Sequence, residues 1–368
     1  MSNHFETPPE ATQPPLGKTA MVARLALIGA ILAAALGTFA YLRGWLTPNV
    51  LTPARFVDGF EEVNGVHSGF RRNHAKGVGV SGFFESNGNG VRLSKAAVFQ
   101  PGQVPVLGRF SLGGGQPDAA DTPAAVRGLG LQFSLPDGEL WRTAMINQPV
   151  FPVRTPEAFY EQLIASKPDP ATGKPDPAKL KAFRARHPET VEALKVIKGE
   201  PPSSGFGNTT FYGLNAFYFT NAAGEIIPVR WLLRPRPFEP ASTAPAPQDK
   251  KYLFDALIAQ IHHQPLRWHL IVIVGQPGDP TDDATLAWPA GREEVDAGTV
   301  TLDRIESDDT SEARDINFDP LVLPVGIAPS DDPLLSARSA VYSQSFTRRA
   351  GETRQPSAIT PAEVRKGE

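Results

Sequence analysis

Three residues in this chain have the types and spacing for redox chemistry: a histidine near the front and an arginine–tyrosine pair near the end. Arg338 and Tyr342 stand four positions apart in Arg338-Ser339-Ala340-Val341-Tyr342, and on a helix that spacing places them on one face. A guanidinium beside a phenol favours the phenolate, which can ligate ferric iron. His74 lies in Arg71-Arg72-Asn73-His74-Ala75-Lys76-Gly77. Alone it reads as a structural or surface residue; opposite an iron ligand it would be a proton shuttle for peroxide.

The elements that position these groups must come from a globular chain. Its 368 residues are 41% hydrophobic and 20% charged, enough for one large domain, or two, with a filled core. A net charge of -3 offers no basic field for nucleic acid. The 37 prolines and 33 glycines, spread without period, imply short elements with irregular connections and exclude a simple helical bundle. Cysteine is absent, which removes disulfides, thiolate-ligated haem, iron–sulfur clusters and cysteine zinc sites. Ile261-His262-His263 with His269 lacks a carboxylate motif, and adjacent imidazoles diverge on a helix, so no histidine metal site is expected there. Gly113-Gly114-Gly115 lacks the setting of a phosphate loop and reads as a turn.

From Leu25 to Tyr41 the chain is uncharged and apolar, bracketed by Arg24 and Arg43, with a proline-rich tail before it. Extended by its neighbours, with the arginines at the interfaces, this run is long enough for a bilayer. It reads as an uncleaved anchor; a cleaved signal segment or a buried core helix would have similar composition. Lys18 and Arg24 on its front side predict a cytoplasmic tail and an exported domain, periplasmic in a bacterium. The expected organisation is a disordered tail over 1–18, a membrane segment over 19–42, a linker over 43–54, a catalytic domain over 55–350 and a loose tail over 351–368.

Strands are expected over 74–84, 93–99, 104–111, 128–134 and 140–147, then helices over 157–165 and 177–198 where apolar spacing changes to three and four. Strands return over 208–220, 225–233 and 268–275, with helices over 250–262 and 332–346. This order suggests a closed or strongly curled antiparallel sheet with helices outside it, an α+β barrel.

The motifs sharpen that picture. His74-Ala75-Lys76-Gly77-Val78-Gly79 followed by Gly82-Phe83-Phe84-Glu85 resembles the distal-histidine strand of the catalase superfamily. Further matches follow in the family's order: Gly108-Arg109-Phe110-Ser111, Arg127-Gly128, Asn147-Gln148-Pro149-Val150-Phe151, and Leu323-Pro324-Val325-Gly326-Ile327 running into Arg338 and Tyr342. The resemblance covers the chain from about Arg55 to Arg349. It implies an antiparallel β-barrel of the catalase type with surrounding helices, preceded by one N-terminal transmembrane helix, and haem b as cofactor. It also implies roles: Tyr342 as the axial metal ligand, Arg338 as its charge partner, His74 as the distal acid–base and Ser111 as the partner that fixes the imidazole. Asn147 would donate to bound peroxide, Phe151 and Phe159 would line the distal face, and Arg71, Arg109 and Arg349 would hold the haem propionates. Three arginines give planar, bidentate partners for two buried carboxylates.

Departures from the catalases lie on the distal side. Ile146 stands at the first place of an asparagine pair and Gln148 at that of a threonine; a channel aspartate falls at Ala125, and a bulky residue before the distal histidine is the polar Asn73. Only 26 residues follow Tyr342, where catalases carry a helical domain, and no long arm is present to wrap a neighbour. A more open site favours electron donation by organic molecules over a second peroxide. The sequence thus predicts a catalase-related haem peroxidase that uses hydrogen peroxide to oxidise small organic reductants with weak catalase activity, as a monomer or dimer rather than a wrapped tetramer. Peroxide dismutation, isomerisation of lipid hydroperoxides and haem binding without turnover are the alternatives.

Overall fold

The computed structural model describes residues 17–42, 50–236 and 250–366, in two units, Met1–Thr52 and Pro53–Glu368. In the first, α1 (Lys18–Leu42) is apolar around its whole circumference and, by length and composition, long enough to cross a membrane. Apart from Gly17 and Lys18, the expected disordered tail lies outside the described residues, as do positions 43–49 of the expected linker.

The second unit opens with α2 (Pro53–Asn64), so helix begins two residues before the expected domain boundary. Its strands are β1 (Gly77–Ser86), β2 (Gly102–Leu112), β3 (Arg127–Ser134), β4 (Leu140–Ile146), β5 (Phe211–Tyr212), β6 (Phe217–Thr220), β7 (Ile226–Pro235), β8 (Leu266–Val274), β9 (Glu294–Ser307) and β10 (Ile327–Pro329). All pairings are antiparallel, in the order β10-β6-β7-β5-β4-β3-β2-β1-β9-β8, and β7 also pairs with β8. That last pairing closes eight strands into a barrel, leaving β6 and β10 as an extension and abolishing two edges.

Strand alternation sorts the side chains. Leu129, Leu131 and Phe133 of β3 enter the barrel, where Phe133 stacks on Trp141 at 4.7 Å and Phe217 on Trp231 at 4.3 Å. The intervening Gly128 and Gly130 face outward, together with Arg109 and Ser111 of β2 and Ala144 and Ile146 of β4. Around this outer face lie α3 (Pro156–Ala165), α4 (Pro177–Arg186), α5 (Pro188–Gly199), α6 (Tyr252–His263), α7 (Pro333–Ala350) and α8 (Pro361–Arg365).

Several elements differ from the sequence expectation. Residues 93–99, expected as a strand, instead follow the 3-10 turn Asn89–Arg92 and end in a second, Ala97–Phe99, packing Leu93, Val98 and Phe99 into the core. The single helix expected over 177–198 is two, because Pro188 cannot donate its backbone N–H and starts α5 anew. The 14-residue β9 was not anticipated. The expected loose tail is packed: Ile359 and Val364 are buried, Ser307 Oγ donates to the Ile359 carbonyl at 2.6 Å, and Lys251 Nζ pairs with Glu363 at 2.6 Å. A capping box at Thr360 starts α8.

Candidate active site

Tyr342 and its arginine are presented by α7, whose start is fixed by Pro333 at its first position and by the Asp332 carboxylate accepting from Leu334 N at 2.9 Å. Arg338 Nη2 donates to the Ala144 carbonyl at 2.9 Å and lies 3.5 Å from the Tyr342 phenol oxygen. Its Nη1 donates to Asn215 Oδ1, and Asn215 Nδ2 donates to Asp332 Oδ2 at 2.7 Å. Burial, only partly offset by the Asn215 and Leu334 donors, raises the Asp332 carboxyl above its ordinary range.

His74 precedes β1 in the left-handed region, at φ 59°, and Nδ1 meets Ser111 Oγ at 3.0 Å. Among the described residues only one other non-glycine residue has a positive φ, Leu214 at 68°, directly before Asn215. Both border the same cavity, one on each side of the site; such backbone strain concentrates where geometry is over-determined. Burial first, then the Arg109, Arg71 and Arg338 charges, push the His74 imidazole down to about 3, so it is neutral at physiological pH.

The cavity has a volume of about 510 Å³ and is mostly apolar, with His74, Tyr342, Arg71, Arg109, Arg338 and Arg349 on its wall. Two cross-strand rows of the barrel form its floor: Ser111–Gly128–Ile146 and, two residues along, Arg109–Gly130–Ala144. The His74 ring stands directly over Gly128, where a Cβ would come within 2.9 Å of it, and Phe318 stands over Gly130, where a Cβ would come within 2.7 Å. Gly128 and Gly130 stand two residues apart, about 6.6 Å along β3, so the floor beneath the two rings carries no side chain and is open to a flat group.

The charges around this floor point the same way. Arg71 donates through Nη2 to the carbonyls of Ala313, Arg314 and Ile316, and no hydrogen bond within the described chain engages its Nε and Nη1. Arg349 Nη1 donates to the Arg314 carbonyl at 2.6 Å, while its buried Nη2 has no partner among the described residues. Burial and the neighbouring Arg109 and Arg349 hold Arg71 well below its ordinary value; burial and Arg109 bring Arg349 to about 10. An open floor rimmed by crowded, under-partnered guanidiniums fits a planar macrocycle with carboxylate arms, and Tyr342 would supply its metal ligand.

Arg109 differs from the other two. Its Nε and Nη2 grip Asp308 at 2.7–3.1 Å, and the remaining contacts go to the His74 and Ala75 carbonyls. One N–H of Nη1 remains for an outside acceptor, so Arg109 chiefly anchors the backbone of His74.

Phe151 and Phe159 border the cavity 5.2 Å apart, edge to face. Phe56 and Phe60 of α2 complete this aromatic wall, with Phe56 5.5 Å from Phe159; the sequence reading missed them because α2 was not anticipated. Asn215, Asp308 and Phe318 were missed as well, since none lies in a motif. Asn147 is not among the residues that border the cavity, and its Oδ1 accepts from Arg127 N at 2.9 Å. Alternation explains this, because Ile146 and Gln148 on either side of it do face the cavity.

Comparison with known proteins agrees with this geometry. The catalase family model matches residues 46–359. The chain is 40% identical over 305 residues to a catalase-related peroxidase of Synechococcus elongatus, covering 81% of this chain and 89% of that one. It is 33% identical over 308 residues to a catalase-related peroxidase of Mycolicibacterium paratuberculosis, covering 83% and 96%. Rat catalase is 29% identical over 299 residues, and the match spans 56% of its length. Among solved structures, catalase A of Saccharomyces cerevisiae superposes with a TM-score of 0.68 at 20% identity, covering 82% of this chain and 65% of that one. The barrel, the site assembled on its outer face and these matches place the chain in the catalase family.

Proposed function

We propose that the protein is a haem b peroxidase, an oxidoreductase that uses hydrogen peroxide to oxidise small organic reductants and dismutates peroxide weakly. Haem, when bound, supplies the redox-active iron at which the peroxide O–O bond is cleaved. The rest is done by the chain. Tyr342 ligates from the α7 side, with the Arg338 guanidinium 3.5 Å from its phenol oxygen. Arg71 and Arg349 bind the carboxylate arms through the N–H groups that the protein leaves unpaired. With Nδ1 held at Ser111 Oγ, 3.0 Å away, Nε2 of His74 is the base that takes the peroxide proton and returns it to the departing oxygen.

The observation that carries the peroxidase reading is the distal wall. Where the catalases have an asparagine pair, Ile146 faces the cavity and Asn147 is turned away, while the polar Asn73 and Gln148 line the approach to His74. That wall orients a second peroxide poorly and admits an organic donor. The two catalase-related peroxidases similar to this chain support the same choice. By its apolar length, α1 serves as an anchor with the catalytic domain on the periplasmic side. Guaiacol-type dye oxidation measured beside oxygen evolution tests the reading: dye turnover with little oxygen is expected, and rapid oxygen release without dye oxidation overturns it.

A further inference from the structure

We propose that Gln148 is the distal hydrogen-bond donor of this site, in the role that resemblance implied for Asn147; the proposal rests on the haem reading above and specifies its distal chemistry. Ile146 occupies the outward row with Ser111 and Gly128, directly beside the His74 ring, and offers no donor. Asn147 is not among the cavity-lining residues and is tied to the start of β3: its N donates to the Arg127 carbonyl at 3.0 Å and its Oδ1 accepts from Arg127 N. Two residues on from Ile146, past the end of β4, stands Gln148. It lines the cavity, and its carboxamide makes no hydrogen bond within the described chain.

A polar side chain that borders an apolar cavity without a protein partner is available to a ligand. Asn73 is the other amide on this wall, but its Oδ1 accepts from His74 N at 3.0 Å and from Gly114 N at 2.7 Å, which fixes it as a clamp between two backbone segments. Gln148 has no such duty. Its longer side chain lets the amide approach the ligand from the channel side, past Ile146, rather than from directly above the imidazole. A donor there polarises one bound peroxide while Ile146 keeps the wall beside His74 apolar.

The test uses the haem-loaded full chain titrated with sodium fluoride, a small anion that binds ferric haem and accepts a hydrogen bond. Gln148→Met keeps the length and removes the amide; it should raise the fluoride Kd about tenfold, the loss of one hydrogen bond to a charged acceptor. Gln148→Leu should do the same, with haem content and Soret band matching the parent. Adding Ile146→Asn to Gln148→Met should restore affinity by placing a donor in the barrel row itself. An unchanged Kd in both Gln148 variants overturns the proposal, as does weakening by Asn73→Leu in their place. Fluoride binding is read without peroxide or dye, so it stands or falls independently of whether the protein is a peroxidase.

Discussion

Arg338 is aimed at Tyr342 by an amide and a carbonyl, not by an acid. Its Nη2 lies 3.5 Å from the phenol oxygen, while Asn215 and the Ala144 carbonyl hold the rest of the guanidinium. A carboxylate in direct contact would neutralise the positive charge that faces the phenol; with Asn215 interposed before Asp332, that charge stays directed at Tyr342. Asn215→Leu should therefore act twice. Unfolding in urea should show a loss of about 1–3 kcal/mol, because Arg338 and Asp332 each lose a buried partner. Haem should also pass faster to a competing acceptor protein, as Tyr342 loses the oriented guanidinium beside its oxygen.

Gly128 is the position where the barrel meets the distal histidine. A Cβ there would lie 2.9 Å from two atoms of the His74 ring and 2.8 Å from Ser111 Oγ, and the ring cannot retreat without leaving Ser111. Gly128→Ala should fold, since its φ is not in the glycine-only region, but should displace the imidazole. Misplacing a catalytic group by about 1 Å costs about 100-fold. Stopped-flow measurement of the reaction with peroxide should show a loss of that order. Ser111→Ala, which frees the ring without pushing it, should cost less.

Two histidines give opposite pH signatures. Burial lowers His74 to about 3, so the unfolded chain takes up a proton near pH 6.5 that the folded chain refuses until about pH 3. Stability is therefore lost as pH falls through that window. For His187 burial acts downward, but the Glu161 and Glu189 hydrogen bonds and charges outweigh it and raise the imidazole. Its contribution is full below about pH 6.5 and is lost as pH rises through the raised folded value. Urea midpoints of the haem-free protein measured from pH 4 to 8 should rise with pH less steeply in His74→Phe, and the high-pH decline should vanish in His187→Phe.

What could be read in the sequence follows the range of the interactions. The Arg338–Tyr342 spacing is local, and α7 delivers both residues to the cavity. Alternation in β3 and β4 is local too, but its phase depends on which face carries the site: Ile146 and Gln148 border the cavity and Asn147 between them does not. Residues 93–99 have strand-like composition yet pair with nothing along a strand, because tertiary packing into the core overrides propensity. Asn215 meets Arg338 across 123 residues and Arg109 meets Asp308 across 199. No spacing rule reaches that far.

Arg71 and Arg349 set the last prediction. Buried guanidiniums with weak acidic partners destabilise a fold; Arg349 has Asp315 3.9 Å away, already bound by Arg354, and feels Asp308 only through space. Replacing Arg349 by methionine keeps much of the buried volume and removes the charge. In the haem-free protein Arg349→Met should raise stability by about 1–3 kcal/mol, because a value near 10 in place of the ordinary one is itself a cost of that size. In the haem-loaded protein the same change removes a partner for a carboxylate arm, so haem retention should fall. Opposite signs for the two forms, measured by urea unfolding and by haem transfer, are expected only if the arginine is held in place for an anion that the chain itself does not contain. Destabilisation of the haem-free form by Arg349→Met would instead assign the residue to holding the Arg314 carbonyl, with no surplus charge to offer.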